Sequence, residues 1–258
     1  MLIKRLQVLC LVVLISGCAT TKNNPDPLEP YNRVMFKLNS YSYDYIFNPI
    51  NSGYTTITPS FFRDGVTNFF DNTFEFPRTG NSLLQGDFFS AGKHVLRFTL
   101  NTIFGVFGLV DVAQNMDLPA QTNTFGMTLA RWGYTKSAYF VIPFLGPSTI
   151  RDTIGMVPDY FMDPINLNAY FASNPIIKPK VGYAVTGLYV INANSVFLPK
   201  YYTMTEYAID PYVATRNAYL QYTNARIKRM SNEKNRINVK DSKIPLKKKS
   251  ANITHTNM

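Results

Sequence analysis

The chain has 258 residues, 46% of them apolar and only 16% charged, where about 25% is usual in a soluble domain. Its net charge of +10 is unevenly placed: residues 18–225 hold 14 basic and 14 acidic side chains, residues 226–258 hold 10 and 2, and Lys4 and Arg5 supply the rest. The basicity therefore sits at the two ends of a neutral body, which argues against a folded nucleic-acid-binding face.

The N-terminal stretch fixes the expected compartment. Lys4 and Arg5 precede an apolar run from Val8 to Ile15 that is too short to span a bilayer, and small residues follow. That order is a secretory signal. Ile15-Ser16-Gly17-Cys18 resembles the lipobox of bacterial lipoproteins. The resemblance implies removal of residues 1–17 as a signal peptide and acylation of Cys18. At about 0.8 kcal/mol per buried CH₂, two or three acyl chains anchor stably where one does not. The residue after the cysteine is Ala19, not Asp. In enteric-type lipoproteins this favours the outer membrane, with the body facing the periplasm.

Cys10 leaves with the signal and Cys18 is acylated, so no disulfide is expected. What remains is long enough for one large domain or two small ones. All 19 Phe, all 17 Tyr and the one Trp lie beyond Cys18. Tyr suits headgroup depth, apolar along its ring and wet at its tip. An aromatic core is the alternative, but low charge and a lipid anchor point to partial membrane immersion.

Ala19–Pro25 reads as a polar tether. From Asp26 a helix is predicted: Pro27 and Pro30 suit its first turn, Glu29 suits the positive end of its dipole, and Tyr31, Val34, Met35 and Leu38 share one face. Pro49 is expected to close this region. A second helix begins near Thr58 or Pro59 and ends at the Asp71-Asn72 turn. A third runs through Asn81–Gln85 to Gly86, a restart falls near Asp87, and Ala91–Thr102 carries His94 and Arg97.

From Phe98 to Val110 there are 13 residues without a charge. A spanning helix needs about 20, so this is a core, re-entrant or interfacial segment. Pro143 and Pro147 exclude a continuous helix through Ile142–Asp152, and Ser148 or Thr149 can cap the helix that follows. Val181 to Pro199 is uncharged for 19 residues, a helix of about 27 Å. Its polar residues Thr186, Asn192, Asn194 and Ser195 form no single wet face, so it is buried or in lipid. A helix starts at Asp210-Pro211 and extends through Tyr222. Residues 229–258 are expected to form a disordered basic tail, with attraction to anionic headgroups as its sharper reading.

Catalytic supplies are scarce. His94 is the body's only histidine, and neither a G-x-S-x-G elbow, zinc spacing nor a phosphate-binding loop is present. His94 reads as a structural histidine, and Arg131, Arg151 and Asp152 as ion-pair or capping residues. Neither an enzyme nor a cofactor is expected.

The blocks Asp26–Asn39, Leu83–Asp87, Arg97–Ala113, Phe125–Asp152 and Asp210–Tyr222 resemble, in order, the MlaA/VacJ family of outer-membrane lipoproteins. Pro143-Phe-Leu-Gly-Pro-Ser-Thr-Ile-Arg-Asp152 and the Asp26-Pro-Leu-Glu-Pro-Tyr-Asn-Arg33 start are the specific blocks. The resemblance covers residues 18–228 and implies an all-α, single ring-like multi-helix body embedded in one membrane leaflet. Propensity alone leaves helix against strand undecided, so the all-α assignment rests on it. Members pair with trimeric porins and pass phospholipids misplaced in the outer leaflet to a soluble periplasmic carrier, and thence to an inner-membrane ABC transporter. A passive route needs a sheltered polar path for headgroups, for which Thr186, Asn192 and Asn194 are the candidates. The alternatives are a structural porin-associated lipoprotein, or a lipid or cell-wall hydrolase using His94 with Ser148 or another hydroxyl.

Overall fold

A computed structural model describes residues 26–168, 172 and 178–242, the last ten of these as backbone alone. Cys18, the signal, the tether and residues 243–258 lie outside the described residues.

The first helix, α1 (Glu29–Ser42), faces opposite to a soluble helix. Asn32, Asn39 and Ser42 are buried, whereas Val34 is 60% exposed and Tyr31 and Leu38 also face outward. Hydrogen bonding explains the inversion. Asn32 Nδ2 donates to Asp26 Oδ1 and to the Tyr139 carbonyl, both at 3.0 Å, and its Oδ1 accepts from the Val141 amide at 2.9 Å. Asn39 repeats the pattern, donating to the Ile142 carbonyl at 2.9 Å and accepting from the Phe144 amide at 2.6 Å. Seven helical residues rise about 10.5 Å and three strand residues about 10 Å, so one helix face stays in step with one strand edge.

That strand is β1 (Tyr139–Ile142), paired antiparallel with β2 (Gly146–Thr149) so that Val141 faces Pro147. Pro147 thus lies in a short hairpin strand and Pro143 in its turn. Phe144 and Gly146 take left-handed φ of 64° and 96°. This hairpin is the only β-structure among the described residues.

Pro49 does not close the first helical region. A π-turn at Tyr43–Phe47 leads directly into α2 (Asn48–Ile57), so the helical backbone runs on past Pro49 with the wider π-turn just before it. Helices α3 (Ser60–Thr73), α4 (Glu75–Leu84) and α5 (Phe88–Ile103) follow, and the Asp87 carboxylate caps α5 by accepting from the Ser90 amide at 2.9 Å. The inversion recurs in this pair. Glu75, Arg78, Asn81 and Ser82 on α4 and His94, Arg97 and Asn101 on α5 are buried, while Phe76, Leu83, Phe88, Phe89 and Leu96 are exposed.

The uncharged run after α5 is a tight loop. Val106 and Phe107 have φ of 52° and 57°, and the Gly108 amide donates back to the Asn101 carbonyl at 2.9 Å. The loop presents Phe104, Val106 and Phe107 outward. Beyond it, α6 (Phe125–Arg131) packs on α7 (Ile150–Met162). A Cβ on Gly155 would come within 2.4 Å of the Gly126 amide nitrogen, so the two backbones touch there. Thr149 Oγ1 accepts from the Asp152 amide at 3.2 Å and starts α7.

Helix α8 (Pro179–Thr205) is long and apolar enough to cross a membrane, yet only 17% of its most apolar window is buried. Asp210 caps the last helix, α9 (Pro211–Ser242). The tail boundary expected at Arg229 falls inside this helix. Residues 230–242 hold neither Gly nor Pro, and Pro245 is the next helix-breaking residue.

The all-α expectation therefore holds, the hairpin apart. Packing forms a closed circuit: α8 lies on α2 and α3, α3 on α4, α4 on α7, α7 on β1, β1 on α1, and the π-turn returns to α2. Three small aromatic clusters cement it, centred on Tyr43/Leu198/Tyr201, Val66/Phe70/Ile165 and Tyr139/Val141/Tyr212.

Candidate functional site: a half-open cavity of mixed polarity

Where α3, α4, α7 and α8 converge, they leave a cavity of about 550 Å³. Phe70, Phe74, Met156, Tyr160, Ile165, Val185 and Tyr189 are among its apolar lining residues. Asp71, Arg78, Asn123, Asp159, Asp163 and Thr186 are among its polar ones, several of them chain neighbours of the apolar residues.

The charged lining residues are held in place. Arg78 Nη2 donates to Asp71 Oδ1 at 2.8 Å and its Nη1 to Glu75 Oε1 at 3.1 Å. Asp159 accepts from Asn81 Nδ2 at 2.7 Å and from the Phe125 amide at 3.0 Å. Asp163 accepts from the Ile165 amide at 2.8 Å. Burial pushes the carboxyls of Asp159 and Asp163 above the usual range, against the pull of these hydrogen bonds.

Behind these residues lies the polar core of the α4–α5 pair. Glu75, fully buried, meets His94 Nδ1 at 2.5 Å, Arg97 Nε at 2.9 Å and Arg78. Burial alone would raise its carboxyl, but the His94 hydrogen bond and the Arg78 and Arg97 guanidiniums hold it below the ordinary 4.5. Arg97 is shared with Asp111 at 2.9 Å. Such a network is stable only when every member is partnered.

The three path candidates separate. Thr186 lines the cavity. Asn192 does not; it is buried, accepting from the Tyr54 hydroxyl and donating to Thr67 Oγ1, both at 2.8 Å, and so ties α8 to α2 and α3. Asn194 donates to the Val190 carbonyl of its own helix at 2.8 Å and is also absent from the wall. Arg151 is buried and pairs with Asp152 Oδ1 at 2.9 Å, and Arg131 donates to the Met230 carbonyl at 3.4 Å. Ser148 is buried against Thr153 and the Thr149 carbonyl. Sequence reasoning missed Asp71, Arg78, Asn123, Asp159, Asp163 and Tyr189. For the four charged ones the available signal was their charge: in a charge-poor body, Asp159 and Asp163 lie four residues apart beside aromatic residues; Asn123 and Tyr189 carried no such signal.

Hydrogen-bonding side chains inside and greasy ones outside define a class: a helical body whose surface meets a membrane or an apolar partner. A half-open cavity among its helices carries side chains of both polarities. The chain belongs to the MlaA lipoprotein family, whose model matches residues 24–226. It is 32% identical over 227 residues to the intermembrane phospholipid transport system lipoprotein MlaA of Escherichia coli K12, covering 84% of this chain and 86% of that one. It is 34% identical over 195 residues to an uncharacterized protein of Rickettsia felis, covering 75% and 74%. A solved structure described as the structural basis for maintenance of bacterial outer membrane lipid asymmetry superposes with a TM-score of 0.63 at 28% identity. It covers 78% of this chain and 98% of that one.

Proposed function

We propose that this chain is an outer-membrane lipoprotein that removes mislocalised phospholipids from the outer leaflet and passes them to a periplasmic carrier, maintaining lipid asymmetry. One observation carries the reading: a half-open cavity of about 550 Å³ lined by both apolar and hydrogen-bonding side chains, in a body that turns Val34, Phe88, Phe89 and Phe107 outward. A polar headgroup crossing hydrocarbon without hydrogen bonds costs several kcal/mol, and sheltered polar side chains remove that cost. Tails can follow along Phe70, Phe74 and Tyr189.

In this reading acylated Cys18 delivers and orients the protein, and the apolar exterior holds the body in the inner leaflet beside a trimeric porin. The chain has no nucleotide-binding loop, so direction comes from the carrier and an inner-membrane ABC transporter. The exposed apolar surface would also suit a structural porin-associated lipoprotein, and the same experiment separates the two. Deleting the gene should expose phospholipid on the cell surface, and the wild-type gene should reverse this. A cavity-filling Thr186→Trp variant at normal abundance should not. Restored asymmetry with a blocked cavity would refute the lipid path and favour the structural role.

A further inference from the structure

We propose that a second, smaller pocket between α5 and α9 is a phosphate-binding port, in which Arg226 and Arg229 take the phosphodiester of a glycerophospholipid. The inference rests on the phospholipid reading above and assigns a place to the headgroup.

The pocket, of about 310 Å³, is lined among others by Gln85, Asp87, Ser90, Gln121, Arg226 and Arg229. It shares Thr122 and Asn123 with the large cavity, so these two residues partition neighbouring compartments. The partition is held by hydrogen bonds: Gln85 Nε2 donates to Asn123 Oδ1 at 2.7 Å, and Asn123 Nδ2 to Ser82 Oγ at 2.9 Å.

The two sides differ in charge. The large cavity sets Asp71, Asp159 and Asp163 against Arg78; the small pocket sets Arg226 and Arg229 against Asp87. Asp87 is already occupied, accepting from the Ser90 amide and hydroxyl at 2.9 Å each. Arg226 Nη2 donates to the Thr122 carbonyl at 3.1 Å, and its guanidinium lies 5.4 Å from the Tyr222 ring centre, which fixes it on the partition. A guanidinium has five N–H donors, so most remain for an anion. Neither arginine has a carboxylate partner within 4.0 Å among the described residues. Three residues apart on one helix, they face the same way. The charge of Arg226 is felt by Asp159 across the partition, opposing the upward push of burial on that carboxyl. A phosphodiester leaving the acidic compartment past Asn123 would therefore meet two arginines suited to bidentate phosphate contact.

The test uses full-length protein in detergent and a short-chain phosphatidylglycerol, an anionic phosphodiester without an amine, measured by titration calorimetry. Dihexanoylglycerol, which lacks phosphate, and inorganic phosphate serve as comparison probes. Arg229→Gln changes an exposed side chain, so the fold should survive, and a melting curve checks it. Affinity for the phosphatidylglycerol should fall about tenfold in Arg229→Gln, as expected for one lost charge-assisted contact, with dihexanoylglycerol binding unchanged. Equal affinity of wild type and variant would overturn the port and leave the phospholipid reading standing. Wild-type protein that binds neither lipid would overturn the phospholipid reading itself. Binding of inorganic phosphate without phosphatidylglycerol would overturn the assignment to a lipid headgroup.

Discussion

Replacing Asn32 with alanine should destabilise the body far more than replacing Val34 with serine, although a soluble helix would show the reverse. Asn32 is fully buried and makes three hydrogen bonds, to Asp26, the Tyr139 carbonyl and the Val141 amide. Each contributes about 1 kcal/mol, and a buried amide or carbonyl left without its partner costs about 1–3 kcal/mol. The loss should reach about 3 kcal/mol or more, or about 6–12 °C in melting temperature for a body of this size. Val34 is 60% exposed, and a substitution there should stay within about 0.5 kcal/mol. Thermal unfolding of both variants in the same detergent, followed by far-ultraviolet circular dichroism, decides the matter. A Val34→Ser variant as unstable as Asn32→Ala would refute the inside-out packing.

The buried carboxylate of Glu75 gives a pH-dependent test. Its folded-state pKa lies below the ordinary 4.5, so its stabilisation is complete above 4.5 and is lost as pH falls through the lower folded value. Wild-type melting temperature should drop on that acidification, and in Glu75→Gln that component should vanish. The variant should also be about 3 kcal/mol less stable at neutral pH, the low end for breaking a buried ion pair, because Asp71 and Asp111 still partner Arg78 and Arg97. Asn192→Leu, which cuts the ties to Tyr54 and Thr67, should cost about 2 kcal/mol by the same assay while leaving lipid binding intact; a binding loss at unchanged stability would return Asn192 to the path. Cys18→Ala should be missorted on cell fractionation yet still need detergent when purified, and a well-behaved soluble monomer would show that the acyl chains alone make it a membrane protein.

Much of the helical punctuation was legible because it is local chemistry. Asp87, Thr149 and Asp210 cap the helices that follow them through side-chain oxygens within three residues. Pro143 and Pro147 ruled out a helix where the hairpin stands. Pro49 misled because a proline inside a helical run usually reads as a stop, whereas here a π-turn directly precedes it and the helix continues.

Sequence by itself thus determined the starts of α5, α7 and α9, the lack of charge in the apolar segments and, through the order of its blocks, the family; it missed the starts of α2 at Asn48 and of α4 at Glu75. The 3.6-residue period also showed that Tyr31, Val34 and Leu38 share a face, but a period does not say whether that face looks inward. Tertiary structure decided this, because Asn32 and Asn39 find their partners on a hairpin more than a hundred residues away. It likewise decided the cavity, whose wall joins α3, α4, the 122–124 segment, α7 and α8. Thr186 could be guessed from its own helix. Asp159, Asp163 and Asn123 become neighbours of the same space only when the circuit of helices closes, and no local signal in the chain encodes that closure.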